Sequence, residues 1–258
     1  MLYIISIGLA DEKDMSLRAV EAAKKCDSLY AEFFTTKMNT TIRKLEKVTG
    51  KKIKEAKRSD LEEHSGKIME EAKKHNVGIL VGGDALSATT HAALLLEAGK
   101  KGVKCSVIHG SGIFTAVAET GLFLYKFGRT VTLPYPKENY SPESFYDFAL
   151  LNKKCGLHTL ILLDVQAEGK EYMDAHEGLR LLLEAERRKN KGLFIRSTKV
   201  ITACSLGSKN QIIKYGTVKA LLRDKSLKGN TPAVIILPAK LNFTEEEFLE
   251  SCSVTIHF

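Results

Sequence analysis

At 258 residues, the chain is long enough for one large domain or two ordinary ones, each able to bury a core. A composition of 44% hydrophobic and 27% charged residues suits a globular protein, and no apolar run approaches the roughly 18 residues that a membrane span requires. The 39 Lys+Arg against 31 Asp+Glu leave a formal charge of +8, but lysines alternate with glutamates over 37–58 and 62–75, as on solvated helix faces. A basic surface that steers an acidic partner stays open as the alternative.

The chain starts with an apolar strand over Leu2–Ile7 that runs into an acidic turn. It lacks the basic start and small-residue cleavage site of a signal peptide, so a cytoplasmic protein is expected. Further strands are expected at Ser28–Phe33, Val77–Val81, Lys104–Ile108 and Thr130–Leu133. The second half adds Thr159–Leu163, Lys199–Ala203, Gln211–Tyr215, Ala233–Leu237 and a last one at Ser253–Phe258. Helical patterning falls on Ser16–Lys25, Thr40–Val48, His64–His75, Thr89–Gly102 and Phe114–Leu122. It returns at Pro142–Asn152, Met173–Lys189, Val218–Asp224 and Glu245–Glu250. Such alternation predicts an α/β protein, with a mostly parallel sheet in the N-terminal half and a mixed sheet in the C-terminal half. Gly110, Ser111 and Gly112 break the pattern, so two α/β domains are expected, 1–112 and 113–258. The segment TLPYPKENYSPES (132–144) reads as an extended loop.

Cys26, Cys105, Cys155, Cys204 and Cys252 are scattered, never in CxxC spacing, and read as reduced and mostly buried. The seven histidines show no metal-ligand spacing, so no metal is expected. Aromatic residues are not interleaved with the basic runs, and direct nucleic-acid binding is not expected.

Four strand ends carry small residues: SIGLADEKDMS (6–16), VGGDALS (81–87), HGSGI (109–113) and LLDVQAEGK (162–170). In open α/β sheets ligands gather at the carboxyl ends of strands, and glycine lets main chain approach them closely. None of these turns is a phosphate loop: the second lacks the Lys-Ser/Thr pair, and the third has Thr115 where a dinucleotide fold needs glycine. The acidic Asp84 would repel a polyphosphate and favour hydroxyl or cationic groups. A tight turn whose aspartate caps the following helix is the plainer reading. Ser87, Thr89 and Thr90 are likewise cap-type residues for that helix.

Taken together, MLYIISIGLADEKDMS, YAEFFTT (30–36), GGDALSATTH (82–91), VIHGSGIFTAV (107–117), TLILLDVQ (159–166) and ITACSLGS (201–208) resemble the diphthine synthase family. That family lies in the tetrapyrrole-methylase-like group of S-adenosylmethionine-dependent methyltransferases. The resemblance runs through the whole chain in order. It implies two α/β domains with the cofactor in a cleft between them, a homodimer, and translation elongation factor 2 as protein substrate. The implied reaction is N-methylation, to the trimethylammonium stage, of the 3-amino-3-carboxypropyl group on a histidine of that factor.

By the same resemblance, the S-adenosyl-L-methionine contacts fall on Leu9, Asp84, Ser87, Gly112, Ile113, Leu163, Ala203 and Ala233. Ala85 stands where the family usually has proline, which leaves that loop less rigid. Ser87, Gly112 and Ala233 replace the more common valine, serine and histidine, so contacts there are expected through backbone or packing. No paired carboxylates or Cys/His dyad stand out and no catalytic base is named: a free α-amino group, with a pKa near 8, is partly unprotonated at neutral pH.

Other residues have two readings each. His91 could touch substrate or be a satisfied structural group; Tyr30, Glu32, Phe33 and Phe34 could line a substrate entrance or pack a strand. Lys137, Glu138 and Tyr140 could meet the elongation factor or sit in an exposed connector. Two other functions stay open. One is a methyltransferase of the same fold acting on a tetrapyrrole or ribosomal RNA; the other is a non-catalytic module that binds an adenosine compound.

Overall fold

The computed structural model describes residues 1–136, 142–169 and 171–251. The expected strand Ser253–Phe258, the thiol of Cys252 and the loop residues Lys137, Glu138 and Tyr140 lie outside the described residues. The chain divides into two compact units, Met1–Ala116 with Ala167–Gly169, and Val117–Gln166 with Lys170–Phe258.

The first unit is built on β1 (Leu2–Gly8), β2 (Ser28–Ala31), β3 (Ile53–Glu55), β4 (Val77–Gly82) and β5 (Cys105–Ile108), ordered β3-β2-β4-β1-β5. All four pairings are parallel. The central β4 is buried along its whole length, which is why it reads as a continuous apolar run without alternation. Successive residues of β1 feed opposite faces. Leu2 and Ile4 pack with Met69, Ala72, Leu94 and Ala98 from helices Gly66–Lys74 and Ala92–Lys100. Ile5 and Ile7 pack with Ala19, Ala23 and Leu45 from helices Leu17–Lys25 and Ile42–Thr49. Each fully buried Ile or Leu contributes about 1.5–3 kcal/mol, so this two-sided burial anchors the strand whose end carries Leu9.

The second unit holds β6 (Val131–Leu133), β7 (Thr159–Leu163), β8 (Val165–Gln166), β9 (Glu171–Tyr172), β10 (Lys199–Cys204), β11 (Ile212–Thr217) and β12 (Ala233–Leu237). Five of them form a sheet ordered β11-β10-β12-β7-β6; the β6–β7 pairing is parallel and the rest antiparallel. β8 and β9 pair separately. The α/β architecture is as expected, with a parallel first sheet and a mixed second one. One cluster fills the second core, with Phe145, Tyr146 and Ala149 of helix Ser144–Lys154 meeting Leu179 and Leu182 of helix Ala175–Lys189. Glu186 ties that core together. It accepts bonds from the Tyr146 hydroxyl (2.6 Å) and from the main-chain N–H groups of Gly192, Leu193 and Phe194 (2.6, 2.8 and 2.8 Å).

Local chemistry moves several boundaries. β2 stops at Ala31, not Phe33, because the Glu32 carboxylate accepts from the N–H groups of Phe34 and Thr35 and turns the chain. The helix expected from Thr89 starts at Ala92. Ala88 sits at a left-handed φ of 59°, and the cap-type side chains are used elsewhere: Thr89 donates to the Ala85 carbonyl and Thr90 to Glu62. The helix expected over 114–122 is a single turn, Ile113–Ala116, followed by the 3-10 segment Val117–Thr120. β3 and the helix Arg58–Glu62 carry no apolar periodicity to betray them; β3 is a three-residue edge strand with one buried side chain. The four described cysteines are free, but only Cys26 and Cys204 are buried; Cys105 is half-buried and Cys155 exposed.

Candidate active site

In the first unit the turns after β1, β4 and β5 are tied to one another. Gly8 and Gly83 exchange main-chain hydrogen bonds (Gly8 N to Gly83 O 3.2 Å, Gly83 N to Gly8 O 2.8 Å). Ala85 N donates to the buried Ser6 hydroxyl (2.9 Å), and Leu9 N donates to the Ser111 hydroxyl (3.1 Å). The acidic turn 11–14 is self-contained: Asp14 accepts from Ala10 N and Asp11 N, while Asp11 accepts from Lys13 N. Because β1 lies between β4 and β5, the turns of those outer strands meet across the end of β1.

Asp84 is the knot. One carboxylate oxygen accepts from Leu86 N (3.1 Å) and the Ser87 hydroxyl (2.9 Å). The other accepts from His109 Nδ1 (2.8 Å) and Gly110 N (3.2 Å). A carboxylate offers about four acceptor sites, and all are taken within the protein. Partial burial opposes ionisation, but the donors from His109, Ser87, Leu86 and Gly110 outweigh it and hold the carboxyl below its ordinary range. The side chain is 12% exposed, against 70% for His109.

Gly112 lies against the same residue. A Cβ there would come within 3.0 Å of Asp84 N, so its lack of a side chain serves the contact between turns. Gly8, at φ +102°, is more constrained still, since a Cβ would lie 2.4 Å from that of Asp14. Gly83 differs: at φ +69° it has nothing within 4 Å of where a Cβ would stand, leaving open space beside Asp84. Leu9 and Ile113 are half-buried at the rim of this group. Five of the eight expected cofactor residues, Leu9, Asp84, Ser87, Gly112 and Ile113, thus belong to one cluster of turns.

The other three share one end of the second unit's sheet. Ala203 on β10 pairs with Val234, and Ala233, the first residue of β12, pairs with Cys204. Leu163 ends β7 one step beyond the Leu162–Val234 pair. All three are buried. Asp164, next in the chain, is committed inside the unit, accepting from Tyr135 N (2.9 Å), Val165 N (2.9 Å) and the Gln166 amide (3.3 Å).

His91 is 2% exposed with neither ring nitrogen hydrogen-bonded, and its Nε2 lies 3.9 Å from the buried Glu32 carboxylate. Burial pushes its pKa down. It is a structural group without the satisfaction expected of one. Glu32 is turned inward to Thr35 and the following N–H groups, and its pKa is raised by burial. The residue that sequence reasoning missed is His109. Asp84 and His109 lie 25 positions apart, a spacing that matches no ligand or catalytic motif; only the order of the strands brings them together.

The chain is similar to known proteins along nearly its whole length. The family model for tetrapyrrole (corrin/porphyrin) methylases matches residues 1–222. Diphthine synthase of Methanocaldococcus jannaschii is 42% identical over 97% of this chain and 98% of its own. That of Methanococcus aeolicus is 39% identical over 97% of each. A solved diphthine synthase structure superposes with a TM-score of 0.87 at 32% identity, covering 97% of this chain and 94% of that one. A crystal structure from Entamoeba histolytica, assigned the same activity, reaches 0.89 at 34% identity over 97% of both chains. The chain belongs to the tetrapyrrole methylase family and, within it, to the diphthine synthases. It is a methyltransferase of that kind.

Proposed function

We propose that this chain transfers methyl groups from S-adenosyl-L-methionine to the amino nitrogen of the 3-amino-3-carboxypropyl-histidine intermediate on translation elongation factor 2. The observation that carries this reading is identity of about 40% with diphthine synthases along nearly the full length of both chains. The first unit supports it. Its strand-end turns offer open space beside Gly83, apolar side chains at Leu9 and Ile113, and a carboxylate, surroundings suited to an adenosine bearing a cationic sulfur. Bound there, the cofactor would supply an electrophilic methyl group on a sulfonium.

The protein's work is then positioning. Leu9 and Ile113 pack the cofactor's apolar surfaces. Asp84, already carrying four internal bonds, shapes the turns that present main chain to the ligand and lends its charge to the sulfonium's surroundings. Rigid alignment of donor and acceptor supplies several kcal/mol of barrier reduction in reactions of this type. Roles for Leu163, Ala203 and Ala233 rest on the resemblance. The reading includes a cytoplasmic homodimer; among the described residues no helix is long and apolar enough to cross a membrane.

The test is incubation with labelled S-adenosylmethionine and elongation factor 2 carrying the unmethylated intermediate. Mass gain on the modified histidine supports the proposal. Binding without transfer to any acceptor supports a sensing module, and transfer to ribosomal RNA or a tetrapyrrole but not to the factor supports a sister enzyme.

A further inference from the structure

His109 follows the last residue of β5 in the knot of turns, yet its ring projects into solvent. Its Nδ1 lies 2.8 Å from Asp84 Oδ2. An ionised carboxylate can only accept, so Nδ1 carries the hydrogen and the neutral ring keeps its lone pair on Nε2. Asp84 is held in that ionised state by its other donors and is the charged side chain bonded to the ring. A histidine with one nitrogen anchored to a largely buried carboxylate and the other presented outward is built to accept a proton and to stabilise the imidazolium that results.

The proposed reaction releases protons that such an acceptor can take. An ammonium that becomes a trimethylammonium sheds a proton before each of three transfers, and those protons must reach solvent. We propose that His109 takes up the protons leaving the substrate amine, with Asp84 as the positioning residue that fixes its tautomer. In each step the N–H bond breaks and its electron pair becomes the lone pair that attacks the methyl carbon, while the S–CH3 bond breaks and its pair leaves on the sulfur of S-adenosylhomocysteine. The proton goes to Nε2 and passes from the exposed ring to solvent before the next round. The inference rests on the methyltransferase reading above.

The test uses the full chain and the variant His109→Asn, whose amide nitrogen can still donate to Asp84 but which has no basic nitrogen. Single-turnover methylation of the elongation factor would be followed by mass spectrometry from pH 6 to 9, with binding of S-adenosylhomocysteine by calorimetry as the control. A positioned base gives about 100- to 10,000-fold. The substrate amine, with a pKa near 8, needs less help, so a slowing of about 10- to 100-fold is expected at pH 7. The expected result is unchanged product binding, accumulation of mono- and dimethyl intermediates at pH 7, and recovery toward pH 9. Added imidazole should restore rate to His109→Gly.

Wild-type rates and a normal product distribution at every pH would overturn the role of His109 while leaving the methyltransferase reading intact. Loss of product binding with a slowing that ignores pH would make His109 a structural residue and also overturn it. No transfer by the unaltered chain would overturn the underlying reading and the proton role with it.

Discussion

Glu245 is where an electrostatic reading of the second unit can be tested most severely. Its side chain is fully buried in helix Phe243–Ser251 and accepts from four donors. These are Lys126 Nζ, His158 Nε2 (3.0 Å), Phe123 N (3.1 Å) and Asn242 N (3.0 Å). Burial works against its ionisation. Lys126, the two main-chain groups and His158 more than offset that, bringing the carboxyl from 4.5 down to about 2. At roughly 1.4 kcal/mol per pKa unit, the carboxylate contributes about 3 kcal/mol to folding at neutral pH. A group depressed in the folded state contributes fully above its unfolded value, and the contribution is lost as pH falls from about 4.5 through about 2. Glu245→Gln should therefore lower the urea-unfolding free energy by about 3 kcal/mol or more at pH 7, since it also leaves Lys126 and His158 without their charged partner. Between pH 5 and pH 2.5 the gap from the wild type should shrink. Equal midpoints at pH 7, or a gap that stays constant down to pH 2.5, would refute the reasoning. His158 sharpens the acid side. Its Nδ1 accepts from Ala239 N while Nε2 donates to Glu245, and burial pushes its pKa down, so the folded state resists a proton that the unfolded chain takes below about pH 6.5.

Three other outcomes are expected. Asp84→Ala strands Leu86 N, Gly110 N and His109 Nδ1 together; losing several charge-assisted bonds should weaken S-adenosylmethionine binding at least about 10-fold by calorimetry, and unchanged affinity would remove Asp84 from the site. Gly8→Ala forces a Cβ onto Asp14 at a left-handed φ, which should cost about 2 kcal/mol or more and lower the thermal midpoint by several degrees; an unchanged midpoint would show that the β1 turn relaxes freely. His91→Leu replaces a ring whose buried nitrogens have no partners with an apolar group of similar bulk, so stability should hold or rise by about 1 kcal/mol, whereas His91→Ala should lose about 2 kcal/mol to a cavity. A clear destabilisation by leucine in denaturant titration would mean that the ring has a partner.

How much of this was legible in the sequence follows from the range of the forces involved. Strands buried on both faces must be apolar on both, so β1, β4 and β7 announce themselves as runs, and the alternation of strands and helices yields the α/β class without coordinates. The glycines at 8, 83 and 112 mark turns because only glycine tolerates their φ or their close approach. Those are local constraints, written in neighbouring residues. The partnership of Asp84 with His109 is of another kind. It depends on β1 lying between β4 and β5, an order set by the packing of whole helices against the sheet, and no spacing rule along the chain encodes it. The same holds for Thr90, whose hydroxyl looks like a helix cap until the fold offers it Glu62. Sequence alone thus determined the class of fold and the positions of the glycine-bearing turns at the strand ends. Tertiary structure decided which side chain is spent on holding those turns together and which nitrogen is left facing outward, because hydrogen bonds are allotted only once distant strands have come side by side.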